Sequence, residues 1–187
     1  MARDAIKYIL AGRHDMNTSI AFLDASTVDY GDISLAALQS IGSLQRYELT
    51  RQADLPARMK DVAIAVTNKV VFDEEAIAAC PALRMIAVAA TGYNNIDIDA
   101  AARAGIAVAN VPDYSTSSVA QFTMTFILAL ATRLPEYNAA THDGAWSRSP
   151  IFTLGAWPTF ELKDKVIGIL GMGAIGREVA RLAAAFG

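Results

Sequence analysis

The closing stretch "KVIGILGMGAIGREVARLAAAFG" (165–187) decides how the rest of the chain is read. An apolar, β-branched run, Val166 to Leu170, leads straight into Gly171, Gly173 and Gly176 at G-x-G-x-x-G spacing. A segment with helical periodicity follows. Strand, glycine turn and helix in that order are the setting in which this spacing cradles a dinucleotide pyrophosphate. Gly171 allows a tight turn, Gly173 lets the backbone approach the phosphates, and Gly176 lets helix pack on strand. The first helical residues, Ala174 and Ile175, then offer unpaired N–H groups and the positive end of a helix dipole. The competing reading is a glycine-punctuated turn that binds nothing. An acidic residue that reads the ribose is expected about 20 residues further on. Eleven residues follow Gly176, so NAD and NADP both stay open.

Working outward, short apolar runs alternate with helix-like segments. "AIKYIL" (5–10), "VAIAV" (62–66), "MIAVAA" (85–90), "IAVANV" (106–111) and "VIGIL" (166–170) read as strands covered on both faces. Helices are expected over 34–42, 73–80 and 97–105, the last two opening on acids and the third stopping at Gly105. That alternation predicts an α/β protein with a parallel sheet. Near 110–115 the pattern breaks at Pro112 and Asp113, and a long helix apolar nearly all round follows over 116–133. Ser118 and Gln121 suggest a capping box for it, and such a helix is expected to be buried, against either its own chain or a second subunit. Residues 142–158, rich in Gly, Pro and Trp, read as an irregular arm. Val166–Leu170 on its own is expected to present two unpaired strand edges.

Composition limits the functional classes. The chain has 187 residues, 53% hydrophobic and 19% charged, with a net charge of -3. Its scattered lysines and arginines form no stripe for nucleic acid. The apolar stretch Val119–Ala131 is interrupted by Gln121, Thr123 and Thr125 and is shorter than the roughly 20 residues a bilayer needs. The N-terminus does not read as a signal peptide. One cysteine, Cys80, fits a reducing, cytoplasmic setting and reads as a small buried apolar group. The expected partners therefore include no nucleic acid and no membrane.

Four stretches together, "VTNKVVFDEEAI" (66–77), "LRMIAVAATGYNNIDIDAAARAGIAVANVPDYSTSSVAQFTMTFILALATRL" (83–134), "DGAW" (143–146) and 161–187, resemble the D-isomer-specific 2-hydroxyacid dehydrogenases. Within that family they are most similar to the glycerate dehydrogenases, also called hydroxypyruvate reductases. The resemblance implies a flavodoxin-like substrate domain whose N-terminal part is residues 1–112. It also implies the first part of a Rossmann-type NAD(P)-binding domain over 113–187. Backbone N–H groups at Thr91 and Gly92, beside Ala90, would hold the carboxylate of a small 2-keto or 2-hydroxy acid such as hydroxypyruvate or glyoxylate. A positive φ at Gly92 would help the amides converge. Asn68 would face the same substrate, or serve simply as a turn residue. Thr116 would contact the cofactor near the nicotinamide, or cap its helix.

The family's catalytic Arg, Glu and His have no match in this sequence, and neither His14 nor His142 corresponds to the catalytic His. The resemblance therefore implies an N-terminal portion, inactive alone, of a hydride-transferring enzyme. The alternative is a non-catalytic binding or dimerising fragment. It further implies a homodimer through the 116–133 helix and the 142–158 arm.

Overall fold

The computed structural model describes residues 18–187. Five strands, β1 (Ser19–Phe22), β2 (Ser43–Arg46), β3 (Ile64–Thr67), β4 (Met85–Val88) and β5 (Ala107–Ala109), form one parallel sheet in the order β2-β1-β3-β4-β5. The registers run Ile20 to Leu44, Ile20 to Ile64, Ile64 to Met85 and Met85 to Ala107. This is the flavodoxin-like order, with the direction of winding reversing between β1 and β3.

Strands β1, β3 and β4 read as largely apolar runs because both faces are covered. On one face Ala21, Leu23, Ala65, Ile86 and Val88 meet Leu55 and Met59 of α2 (Leu55–Met59), Ile77 of α3 (Glu74–Ala78) and Ala101 of α4 (Ile98–Arg103). On the other, Ile20, Phe22, Ile64, Val66 and Met85 meet Leu38 of α1 (Ala36–Gln39) and its flanking Leu35 and Ile41. The period-2 alternation thus survives inside an unbroken apolar sequence. The Asp73 carboxylate accepts the Ala76 N–H at 2.8 Å and Asp97 accepts that of Ala100 at 2.8 Å, so each acid is an N-cap. Gly105, at φ 70°, closes α4.

Strands β1 and β2 were not expected from the sequence. "SIAF" is four residues long, and "SLQR" has a single apolar residue because it is an edge strand paired only to β1. The strand expected at 5–10 and His14 lie outside the described residues.

The chain divides into two compact units, the first ending at Pro112 and the second running Asp113–Gly187. The second unit holds α5 (Thr116–Thr132), α6 (Leu134–His142), α7 (Ala145–Arg148) and α8 (Ala174–Ala184). Ala120 and Met124 of α5 pack on Val179 of α8, with Ile127, Ile169 and Leu182 around them.

Three expectations from the sequence do not hold. Val166–Leu170 is no strand: among the described residues no second strand lies beside it to form a ladder, and Val166 is 99% exposed. The Ser118–Gln121 capping box does not form, since Ser118 lies inside α5 and its hydroxyl donates back to the Ser115 carbonyl at 3.0 Å. Of the two coverings expected for helix α5, the described residues of its own chain supply only part: Ala120 and Met124 are buried, while Phe122, Phe126 and Leu130 stand open on one face. Finally, α6 and the helical turn α7 give regular structure around and within the arm. Arg133 at φ 53° turns the chain between α5 and α6. Tyr137 of α6 anchors the arm by donating its hydroxyl to the Leu154 and Trp157 carbonyls and stacking edge-on with the Trp157 ring at 5.2 Å.

Candidate functional site

In the first unit, ligands of a doubly wound sheet are expected at the carboxyl ends of the strands, beside the point where winding reverses. That crevice, between β1 and β3, is filled by a residue the sequence reading did not single out. Asp24, 2% exposed, places its carboxylate so that it accepts the Asn68 N–H at 2.9 Å, the Lys69 N–H at 2.6 Å and the Thr67 hydroxyl at 3.3 Å. Its sequence signal was an acid directly after the run "SIAFL", which had not been assigned as a strand. Asn68 is held in the same knot. Its side-chain amide donates to Thr27 Oγ1 at 3.0 Å, so a turn role is filled by bonds within the chain.

One strand over, at the end of β4, the backbone is open instead. The segment Ala90–Gly92 is clamped from behind: the Val111 N–H donates to the Ala90 carbonyl at 3.0 Å, the Asn110 side chain donates to the Thr91 carbonyl at 2.8 Å, and the Thr91 hydroxyl donates to the Val111 carbonyl at 3.0 Å. Among the described residues, the N–H groups of Thr91 and Gly92 have no acceptor. Gly92 does not adopt the expected positive φ, and a Cβ added there would meet nothing within 4 Å. Neither backbone strain nor packing therefore requires glycine at 92, and the space beside the two amides is free.

In the second unit the glycine loop divides its labour as the spacing suggests. Gly171 sits at φ 96°, a conformation a Cβ disfavours. Gly176 is buried, and an added Cβ would run into the Gly171 carbonyl oxygen and approach Ile169 Cγ2 at 3.4 Å. Gly173, by contrast, is the N-cap of the 11-residue α8 with open space where its Cβ would stand. No side chain caps α8 and its first turn carries no acid. The N–H groups of Ala174, Ile175 and Gly176 have no acceptor among the described residues. Thr116 opens α5; its N–H donates to the Asp113 carbonyl at 3.2 Å, but its side chain makes no cap bond, so the capping role weighed for it is not filled.

Glu178, hydrogen-bonded to Arg181, is held below the usual carboxylate range, and burial pushes the Cys80 thiol up, which leaves it protonated and inert. His142 contacts only the Asn138 carbonyl of its own helix, at 2.9 Å. Among the described residues no group of three or more His, Cys, Asp or Glu is placed to hold a metal, and no helix is long and apolar enough to cross a membrane.

A parallel sheet wound in the order 2-1-3-4-5 with free amides at its carboxyl edge, and a separate unit carrying a glycine loop at a helix N-terminus, define a two-unit α/β protein of the doubly wound class. The chain belongs to the D-isomer specific 2-hydroxyacid dehydrogenase family, whose catalytic-domain model matches residues 21–180. It is 34% identical over 171 residues to a hydroxypyruvate reductase from Blautia hydrogenotrophica, a match covering 90% of this chain and 53% of the relative. Among solved structures, D-lactate dehydrogenase from Aquifex aeolicus complexed with NAD and lactic acid aligns with a TM-score of 0.74 at 26% identity, over 90% of this chain and 49% of that one. The NADPH-dependent glyoxylate/hydroxypyruvate reductase from Sinorhizobium meliloti, in complex with NADP and malonate, aligns with a TM-score of 0.69 at 28% identity, over 91% and 51%. The chain spans about half the length of the curated relatives it matches.

Proposed function

We propose that this chain supplies the carboxylate-binding turn and the phosphate loop of an NAD(P)-dependent reductase of small 2-keto acids, with hydroxypyruvate or glyoxylate as substrate. The observation that carries the reading is the asymmetry of the glycine loop. Packing accounts for Gly176, whereas no contact requires glycine at 173, and the N–H groups after it have no acceptor among the described residues. Gly173, Ala174, Ile175 and Gly176 would hold the pyrophosphate by N–H donation at the positive end of α8. Thr116 would contact the cofactor near the nicotinamide. Bound there, the nicotinamide supplies the hydride. The Thr91 and Gly92 amides would fix the substrate carboxylate, with Ala90 shaping the turn and Asn68 bordering it. Rigid donors of this kind lose little entropy on binding, which is how such a turn orients a small acid. The single buried cysteine supports a cytoplasmic setting.

The substrate-gripping Arg, the proton-shuttling His and its Glu partner of the family have no match among these residues. General acid–base catalysis alone supplies about 10²–10⁴-fold. The 187-residue chain is therefore expected to bind without turning over. Fluorescence titration with NADH and NADPH should show saturable binding of at least one, while hydroxypyruvate- or glyoxylate-dependent NAD(P)H oxidation stays at background. Oxidation at a rate typical of whole enzymes would overturn the inactivity. Failure to bind either nucleotide would favour the non-catalytic alternative.

The homodimer is a further part of this reading. Phe122, Phe126 and Leu130 recur every four residues along one face of α5, with Phe126 64% exposed, and the arm adds the exposed Ile151 and Phe152. An apolar patch of this continuity marks an interaction surface. Phe126→Asp is expected to convert a dimer to a monomer in sedimentation equilibrium while leaving the helical circular dichroism unchanged. A monomeric wild-type chain would remove the dimer from the proposal.

A further inference from the structure

Arg177 stands in the opening turns of α8, and helix stability alone does not explain it. A cation there opposes the positive end of the helix dipole. The neighbouring acid, Glu178, is turned away into a two-pronged pair with Arg181 at 2.9 and 2.7 Å. Arg177 has no carboxylate partner among the described residues. The side-chain bond it makes among the described residues runs backwards instead: Nη1 donates to the carbonyl of Met172 at 2.9 Å. Met172 is the residue between Gly171 and Gly173, the least constrained stretch of the loop. With glycine on its C-terminal side, the peptide joining Met172 to Gly173 can turn about the Gly173 φ at little steric cost. In a planar trans peptide the carbonyl and the following N–H point to opposite sides. Whatever holds the Met172 carbonyl therefore decides where the Gly173 N–H points.

We infer that Arg177 is a positioning residue for the phosphate loop: by holding the Met172 carbonyl it turns the Gly173 N–H toward the phosphates and keeps a carbonyl oxygen from facing them. The inference rests on the proposed nucleotide reading of this loop. It assigns Arg177 a geometric task that the glycine spacing does not contain, and it separates orientation from charge. A lysine keeps the charge but lacks the guanidinium fork, so it cannot hold the carbonyl in the same geometry.

The test uses the whole chain as wild type, Arg177→Lys and Arg177→Gln, with NADH and NADPH as probes. Both variants are expected to bind about tenfold more weakly, the effect of one lost charge-assisted contact geometry. The difference should persist at high salt, where a purely charge-based role would be screened. The Gly173 amide resonance of the free Arg177→Lys chain is expected to shift, while the unfolding midpoint stays at the wild-type value because Arg177 is exposed. Wild-type affinity in Arg177→Lys, or an unmoved Gly173 resonance, would overturn the inference alone. A wild-type chain that binds neither nucleotide would overturn it together with the nucleotide reading.

Discussion

Gly176→Ala is expected to lower nucleotide affinity by about 100-fold and to destabilise the second unit by about 1–3 kcal/mol. The new methyl would be driven into the Gly171 carbonyl oxygen and toward Ile169 Cγ2. The carbonyl is backbone of the turn that α8 must touch to stay seated, so it does not yield as a flexible side-chain tip would. Overpacking of a well-filled contact costs about 1–3 kcal/mol, and the relief available is a slide of α8 away from the loop. A displacement of about 1 Å in groups that orient a ligand carries a penalty on the order of 100-fold. Gly173→Ala is the internal control: its Cβ meets nothing within 4 Å, so stability should hold while affinity falls, because the methyl occupies the ligand's path. Denaturant unfolding and NADH titration of the two variants separate these outcomes. Equal stability and equal affinity in Gly176→Ala would show that the loop has slack the structure does not display.

Asp24→Ala is expected to cost the first unit about 3 kcal/mol, toward the upper end of ordinary point substitutions. The carboxylate is 2% exposed and takes two backbone N–H groups and one hydroxyl. Removing it strands donors at the crevice between β1 and β3, and an unsatisfied buried polar group costs about 1–3 kcal/mol. Asp24→Asn should fall between, since it keeps one acceptor oxygen but aims an amide donor at N–H groups. Because the same carboxylate positions the turn at Asn68, the alanine variant is also expected to loosen the bond from Asn68 to Thr27. Urea unfolding within about 0.5 kcal/mol of wild type, the range of neutral surface changes, would show that water replaces the carboxylate at no cost.

The sequence was most legible where a residue's role is local. Asp73, Asp97 and Gly105 act within one helical turn, so the helix ends they mark could be read directly, although the cap bonds of the two acids appear only in the structure. The strands β3, β4 and β5 were legible because burial on both faces writes itself as an apolar run. What was missed depends on partners distant in sequence. Strand β2 is a strand because β1 lies beside it, whereas among the described residues no strand lies beside Val166–Leu170, although its sequence is the better strand former. In the same way "apolar nearly all round" did not reveal that α5 would bury Ala120 and Met124 and leave Phe122 and Phe126 open.

By itself the sequence determined the α/β class, the family and the two glycine-bearing turns, because glycine spacing and apolar runs are imposed by backbone sterics and burial. The tertiary structure alone decided which of those glycines is irreplaceable. Gly176 faces a carbonyl brought close by folding, whereas Gly92 and Gly173 face empty space. It alone also showed that the crevice between β1 and β3 is filled by the protein's own Asp24 while the free amides lie one strand over at Thr91 and Gly92. The physical reason is the same in both cases. Whether a backbone group is free or taken depends on what the fold brings against it, from within the loop at Gly176 and from 44 residues away at Asp24 and Asn68, and glycine spacing or an apolar run alone does not record that.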